Sequence, residues 1–187
     1  MDFATYSSDF QALLGRVDPQ EVEALAAAIE KAYRVGRFIF LIGNGGSGAG
    51  ASHLCEDLAK GTLSDPERQK RMKVLSLTDN VAYILALAND LGYETIFVEQ
   101  LRNVASPGDL LIAISGSGHS PNVLRAVEWA NANGMTTFGV TGYDGGRLRQ
   151  IAQAVLHVPC HNMGTVEAVH SVVFHYLVDV LRERLKT

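Results

Sequence analysis

Short apolar runs rich in β-branched and aromatic residues recur along the chain, and they constrain its fold more than any other feature. They lie at positions 38–42, 74–77, 110–114, 137–140 and 154–158. Polar residues interrupt these runs too rarely for a sheet that has one face in water, so the pattern indicates buried parallel strands.

Helical segments are predicted between these runs and on either side of them. They cover positions 19–33, 51–60, 81–88, 121–133 and 166–185, and the first has Asp18 as an N-cap and Pro19 in its first turn. Alternating strands and helices in 187 residues predict one α/β domain with a doubly wound sheet. We divide it into an N-terminal helical segment, 1–35, and a core, 36–187.

Composition excludes several classes of protein. The formal net charge is -4, so the chain lacks the basic surface by which proteins bind nucleic acid. Its two cysteines form neither a disulfide framework nor a zinc ribbon. The sequence contains no signal peptide and no apolar run long enough to cross a membrane. We therefore expect a soluble, cytoplasmic protein without nucleic-acid or membrane partners.

Two loops that follow predicted strands are rich in glycine and serine. In a parallel sheet, ligands bind beyond the carboxyl ends of the strands. The first loop, 43–50, offers Asn44, Gly45 and Ser47, and the second, 115–120, offers Ser115, Gly116, Ser117 and Ser120. Amides and hydroxyls at such turns bind phosphate. The alternative is that both are tight turns that need glycine only for their backbone conformation. This explanation suffices for the third loop, 141–146.

Acid, base and ligand side chains occur on two predicted helices. His53 and Asp57 are four residues apart and share one helix face, whereas Glu56 lies about 100° away. The last helix carries Glu167, His170 and His175 in an apolar segment. We expect His170 to find a carbonyl or water. If the two helices meet, His53, Asp57, Glu167 and His175 form a set suited to zinc.

Ordered motifs between Phe38 and Leu181 resemble the phosphoheptose isomerases, which are sugar isomerase (SIS) domain proteins. These motifs are GNGGS six residues before a histidine, HLCEDL, SLTDN, SGSGHS, VTGYDGG and VEAVHSVVFH. The resemblance implies a five-stranded parallel sheet in a three-layer αβα sandwich with N-terminal helices for assembly. It also implies a homotetramer with active sites between subunits.

The resemblance also implies roles for individual residues. The phosphate-binding serines correspond to Ser47, Ser115, Ser117 and Ser120, and Gly116 stands where a threonine is common. The zinc ligands correspond to His53, Asp57, Glu167 and His175, although the second and third are typically Glu and Gln. An arginine and an aspartate of the family are replaced by Thr165 and Gly164.

The implied activity is isomerisation of sedoheptulose 7-phosphate to an aldose phosphate through an enediol. Asp57 falls on the base position and His175 on the acid position. Because aspartate is one methylene shorter than glutamate, Glu56, Glu167 and a metal-bound water remain alternative bases. Two other functions stay open, namely an isomerase of another sugar phosphate and a non-catalytic SIS protein. The latter binds a phosphosugar or a protein partner, as relatives resembling the DnaA initiator-associating protein do.

Overall fold

A parallel five-stranded sheet forms the centre of the protein, in a computed structural model that describes residues 2–186. Its strands are β1 (Phe38–Gly43), β2 (Lys73–Ser76), β3 (Leu110–Ser115), β4 (Thr136–Thr141) and β5 (Ala154–His157). They lie side by side in the order β2-β1-β3-β4-β5. The predicted strands are therefore confirmed to within one residue at each end.

Eight α-helices cover the two faces of the sheet within the described residues. They are α1 (Phe3–Leu14), α2 (Pro19–Val35), α3 (Gly45–Glu56), α4 (Val81–Leu91), α5 (Val98–Val104), α6 (Pro121–Ala132), α7 (Gly146–Ile151) and α8 (Met163–Arg184). The sequence predicts no strand or helix for the segments that form α5 and α7. No helix between residues 2 and 186 is long and apolar enough to span a membrane.

The helices form two layers, each with its own apolar core. On one face, α1, α2, α3 and α8 pack against alternate strand residues such as Leu41 and Ile112. On the other face, α4, α5, α6 and α7 pack against the intervening residues such as Phe40 and Leu111. This arrangement follows from the twofold alternation of side chains along a strand, and it confirms the three-layer αβα sandwich.

The N-terminal segment is part of this sandwich. Helix α2 buries Leu25 and Ile29 completely in the same core as α3 and α8. Asp18 caps the helix by accepting a hydrogen bond from Gln20 N, at 2.8 Å, and Pro19 occupies its first turn as predicted.

The order of the strands places the two glycine-rich turns next to each other. Strand β1 pairs with β3, so Gly43 at the end of β1 lies beside Ile114 at the end of β3. After β1 the chain continues to β2 on one side of the sheet, and after β3 it continues to β4 and β5 on the other side. The boundary between β1 and β3 is therefore the switch point at which ligands bind in doubly wound sheets.

The first glycine-rich segment differs from its prediction. The sequence predicts a loop over 43–50 and a helix that begins at Ala51, but α3 already begins at Gly45. The α-helix ends at Glu56, and Asp57–Gly61 forms a single π-helical turn, whereas a continuous helix to Lys60 was expected. Such turns occur frequently at functional sites.

Candidate functional site

The first anion-binding turn consists of the end of β1 and the start of α3. A side chain at Gly43 would lie 2.6 Å from the main chain of Ser47, so only glycine permits this tight reversal. Asn44 is the N-cap residue, and its side chain forms no capping bond. The free amides of the first helical turn consequently face the region beyond the strand ends, where they can bind an anion.

The side chain of Asn44 joins the first turn to the second. Asn44 and Asn122 exchange two amide hydrogen bonds, each 2.9 Å long, and Tyr93 donates its hydroxyl to Asn44 Oδ1 at 3.0 Å. Asn122 is buried and also accepts a hydrogen bond from Val123 N. No sequence motif points to Asn122 or Tyr93, because each lies far from Asn44 along the chain.

The second turn presents the serines that follow β3. Ser115 and Ser120 lie with their hydroxyl oxygens 3.2 Å apart, and Ser117 accepts a hydrogen bond from His119 N. A side chain at Gly116 would begin 2.4 Å from Met163 Sδ. Met163 therefore fills the space in which a threonine at position 116 would need to fit.

A cluster of three potential ligands lies between α3 and α8. Asp57 Oδ2 is 3.4 Å from His53 Nε2 and 3.5 Å from His175 Nδ1. The two imidazole rings meet edge to face, with centroids 5.0 Å apart. The side chains of His53 and His175 are about half exposed, whereas that of Asp57 is mostly buried. The two helices thus meet as the zinc hypothesis requires.

The spacing of these atoms suits a divalent cation. Zinc bonds of about 2.1 Å in a tetrahedral site put neighbouring ligand atoms about 3.4 Å apart. All three ligand atoms of His53, Asp57 and His175 lie within 4.8 Å of one another. Two nitrogens and one carboxylate leave a fourth position open, as in catalytic zinc sites.

Two carboxylates considered in the sequence analysis lie outside this cluster. The carboxylate of Glu167 lies against Gly46 in the first turn of α3, where a side chain would come within 2.3 Å of it. Glu56 is half exposed and pairs with Lys60 at 3.1 Å, 3.9 Å from His53. Within residues 2–186, the geometric cluster therefore contains three of the four ligands expected from the resemblance.

One narrow groove between α3 and α8 connects the first turn with the cluster. Its α3 wall runs from Gly46 and Ser47 to Asp57, and its α8 wall runs from Glu167 to His175. The groove holds a cavity of about 40 Å³. An anchor for an anion and a set of acid, base or metal ligands thus lie at the two ends of one site.

His170 forms part of the wall of this groove and is almost completely buried. Its Nε2 lies 3.1 Å from the main-chain oxygen of Thr141, a carbonyl partner as the sequence analysis expected. Burial lowers the pKa of His170 to about 4, against a smaller opposing effect of that hydrogen bond. The imidazole is therefore neutral at pH 7.

A second polar group, which the sequence analysis did not assign, lies on the other side of α3. Ser52, Ser76, Thr78 and Asp79 form a hydrogen-bonded cluster at the carboxyl end of β2, with Ser52 Oγ 2.8 Å from Thr78 Oγ1. Ser52 and Thr78 line a cavity of about 260 Å³. The signal in the sequence was the SLTDN motif, which begins within the last residues of a predicted strand and continues beyond its end.

Comparison with known families finds a match to the SIS domain over residues 5–142. The phosphoheptose isomerase of Pelobacter propionicus is 32% identical over 173 residues, which are 92% of this chain and 90% of that protein. The phosphoheptose isomerase of Aquifex aeolicus is 35% identical over 164 residues, covering 88% of this chain and 84% of that protein.

Solved structures show the same architecture. A phosphoheptose isomerase from Francisella tularensis superimposes with a TM-score of 0.88 at 28% sequence identity. The match covers 97% of this chain and 95% of that one, so it includes the N-terminal helices as well as the sheet.

Proposed function

Because the chain belongs to the phosphoheptose isomerase family of SIS domain proteins, we propose that it isomerises sedoheptulose 7-phosphate to D-glycero-D-manno-heptose 7-phosphate. It is an enzyme that interconverts a ketose and an aldose phosphate. The observation that carries this function is the single groove that joins Ser47, beside the amides of the first turn, to the cluster around Asp57.

The phosphate is bound at the two adjacent turns. On one side, it accepts hydrogen bonds from the amides after Asn44 and Gly45 and from the hydroxyl of Ser47. On the other side, it is bound by the turn from Ser115 to Ser120, which includes Gly116 and Ser117. Hydroxyls and amides bind a phosphomonoester without adding charge. Anchoring the phosphate here directs the sugar chain into the groove, which positions its carbonyl end at the cluster.

Asp57 and His175 carry the proton transfers in this proposal. The base removes a proton from the carbon next to the carbonyl and returns it to the neighbouring carbon. The acid moves the hydroxyl proton between the two oxygens, so the reaction has no net redox change. Asp57 contacts both histidines and faces the groove, which favours it over the exposed Glu56. Glu167 also faces the groove and remains the alternative base.

A divalent cation, zinc by its ligand preference, fits between His53, Asp57 and His175. When bound, it supplies a Lewis acid that polarises the oxygens of the substrate. Glu167 is the fourth ligand implied by the resemblance, and it would have to turn away from Gly46 to join the cluster.

The non-catalytic function is not favoured, because the relatives are named isomerases and the ligand cluster is assembled. Isomerisation of another sugar phosphate would use the same anchor and the same cluster. The length of the preferred sugar therefore needs a direct comparison of substrates.

Deuterium exchange observed by NMR tests the proposal. Purified protein of known metal content is incubated in deuterated water with ketose phosphates of five, six and seven carbons. We expect exchange of the proton next to the carbonyl, and aldose formation, fastest with the seven-carbon substrate. Asp57→Ala and His175→Ala should lose the exchange, whereas the exposed control His161→Ala should retain it. Saturable binding of sugar phosphates without exchange on any of them would instead favour the non-catalytic function.

We also propose that the protein assembles as a homotetramer. Apolar side chains on α1 and α8 are exposed in the single chain, including Phe3, Val172 and Tyr176. Light scattering during gel filtration should give four times the chain mass of 20.2 kDa. A monomer at micromolar concentration would contradict this assembly.

A further inference from the structure

His170, a residue that lines the groove between α3 and α8, has a ring nitrogen without a hydrogen-bond partner. Within residues 2–186, Nδ1 of His170 is the one buried side-chain nitrogen or oxygen without a hydrogen bond. Buried polar groups in native proteins are almost always paired, so an exception calls for a water or a ligand. The side chain is 3% exposed and lines the groove with Ser47 and Glu167.

The chemistry of this acceptor is fixed by its surroundings. The partner of Nε2 is the carbonyl oxygen of Thr141, which can only accept, so Nε2 carries the proton. The neutral ring then has a lone pair on Nδ1, which can only accept. Phe174 stacks on the ring with centroids 6.1 Å apart, which restrains its orientation. The group that completes this site must therefore be a hydrogen-bond donor.

The groove has room for a small polar group such as a hydroxyl. A cavity needs about 10–15 Å³ to hold a water, and the groove provides about 40 Å³. The carboxylate of Glu167 is a second acceptor on the same wall. A water or a sugar hydroxyl fits this space, because each is small and donates hydrogen bonds, whereas an apolar group would leave both acceptors unpaired.

The position of His170 along α8 indicates which part of a ligand reaches it. At about 1.5 Å per residue, His170 lies about 4.5 Å beyond Glu167 and about 7.5 Å before His175. Glu167 faces the first turn of α3, at the phosphate end, and His175 belongs to the cluster at the reacting end. A donor at His170 therefore belongs to the middle of a ligand that spans the groove.

We propose that Nδ1 of His170 accepts a hydrogen bond from a hydroxyl in the middle of the sugar chain, and that His170 is a specificity-determining residue. This inference rests on the proposed function. The hydroxyl supplies the hydrogen-bond donor for Nδ1 when the sugar phosphate binds. A sugar that lacks this hydroxyl leaves the acceptor unpaired and binds more weakly.

His170→Gln tests this role directly. The glutamine amide can still donate to Thr141 O from near the Nε2 position, but the acceptor at Nδ1 is lost. Calorimetry would measure the affinity for sedoheptulose 7-phosphate, for analogues that each lack one hydroxyl, and for inorganic phosphate. His161→Gln, an exposed histidine outside the groove, is the matched control.

We expect His170→Gln to bind the sugar phosphate about tenfold more weakly, which corresponds to about 1.4 kcal/mol, while its affinity for inorganic phosphate stays unchanged. The wild type should bind one analogue, which lacks a mid-chain hydroxyl, about tenfold more weakly than the complete sugar phosphate. The variant should bind that analogue and the complete sugar phosphate equally well. Equal weakening of sugar phosphate and inorganic phosphate, or a wild-type affinity in the folded variant, would overturn the inference.

A second measurement keeps the test decisive if the variant does not fold. In the wild type, the ¹⁵N resonance of His170 Nδ1 should shift on addition of the sugar phosphate and stay in place with inorganic phosphate. The absence of a shift at saturation would overturn the role of His170 alone. If the wild type binds no sugar phosphate at all, the proposed function fails, and this inference fails with it.

Discussion

Asn122→Ala should destabilise the protein because it breaks the link between the two anion-binding turns. The change removes both amide bonds to Asn44 and the bond that Val123 N donates to Asn122 Oδ1. Each such bond contributes about 1 kcal/mol net. Because Asn44 is only half-buried and keeps its bond from Tyr93, we expect a total loss of about 2–3 kcal/mol.

Urea unfolding and thermal melting at one protein concentration measure this loss. For a chain of this size, 1 kcal/mol lowers Tm by about 2–4 °C, so the expected decrease is about 4–12 °C. Asn133→Ala at the end of the same helix is the control, since its exposed side chain bonds only to Trp129 O. It should change the free energy of unfolding by less than about 0.5 kcal/mol.

A double-mutant cycle with Asn44→Ala tests the cause of the destabilisation. If the two amides stabilise each other, their coupling energy should be about 1–2 kcal/mol. Phosphate should also bind more weakly to Asn122→Ala, because the two turns are no longer held in register. Additive single mutants, or a loss no larger than that of Asn133→Ala, would refute this account of the amide pair.

Three further predictions concern the ligand cluster, the second turn and the buried histidine. His53→Ala, Asp57→Ala and His175→Ala should each weaken zinc binding at least tenfold in a chelator competition, whereas Glu167→Gln should have a smaller effect, since its carboxylate lies outside the cluster. Gly116→Thr should cost about 1–3 kcal/mol in urea unfolding by its overlap with Met163, and Met163→Ala should recover part of that loss. Because burial lowers the pKa of His170 to about 4, the unfolded chain binds an extra proton between about pH 6.5 and pH 4, so stability falls as pH falls through this window. His170→Gln should remove that contribution. Its free energy of unfolding should therefore decrease less steeply with falling pH than that of the wild type, by up to about 1.4 kcal/mol per pH unit. Parallel pH profiles for the two proteins would contradict the lowered pKa of His170.

Much of the fold was predictable because its signals are local. The apolar runs placed all five strands to within a residue, since buried parallel strands leave almost no polar positions. The glycine- and serine-rich segment after β1 predicts a loop up to Gly50, whereas the structure has a helix from Gly45 despite the poor helix propensity of glycine. Helix α7 spans only six residues, which is too short to show a helical period, so no pattern predicts it.

The candidate site was predictable in its parts and not in its assembly. The sequence identified His53 and Asp57 as neighbours, because a helix puts residues four apart on one face. It identified His175 as a costly polar group in an apolar helix. Whether the two helices meet depends on packing against the sheet, and only the structure gives the 3.5 Å contact between Asp57 and His175.

The sequence by itself determined the class of fold, the turns at the strand ends and the supply of acid, base and ligand groups, since these follow from patterns within a few residues. Tertiary structure alone decided that β1 lies beside β3, that Asn44 pairs with Asn122, and that Glu167 turns toward Gly46 and away from the histidines. The physical reason is that each of these depends on non-local contacts between elements, and such contacts are set by the packing of whole layers, which no local periodicity encodes.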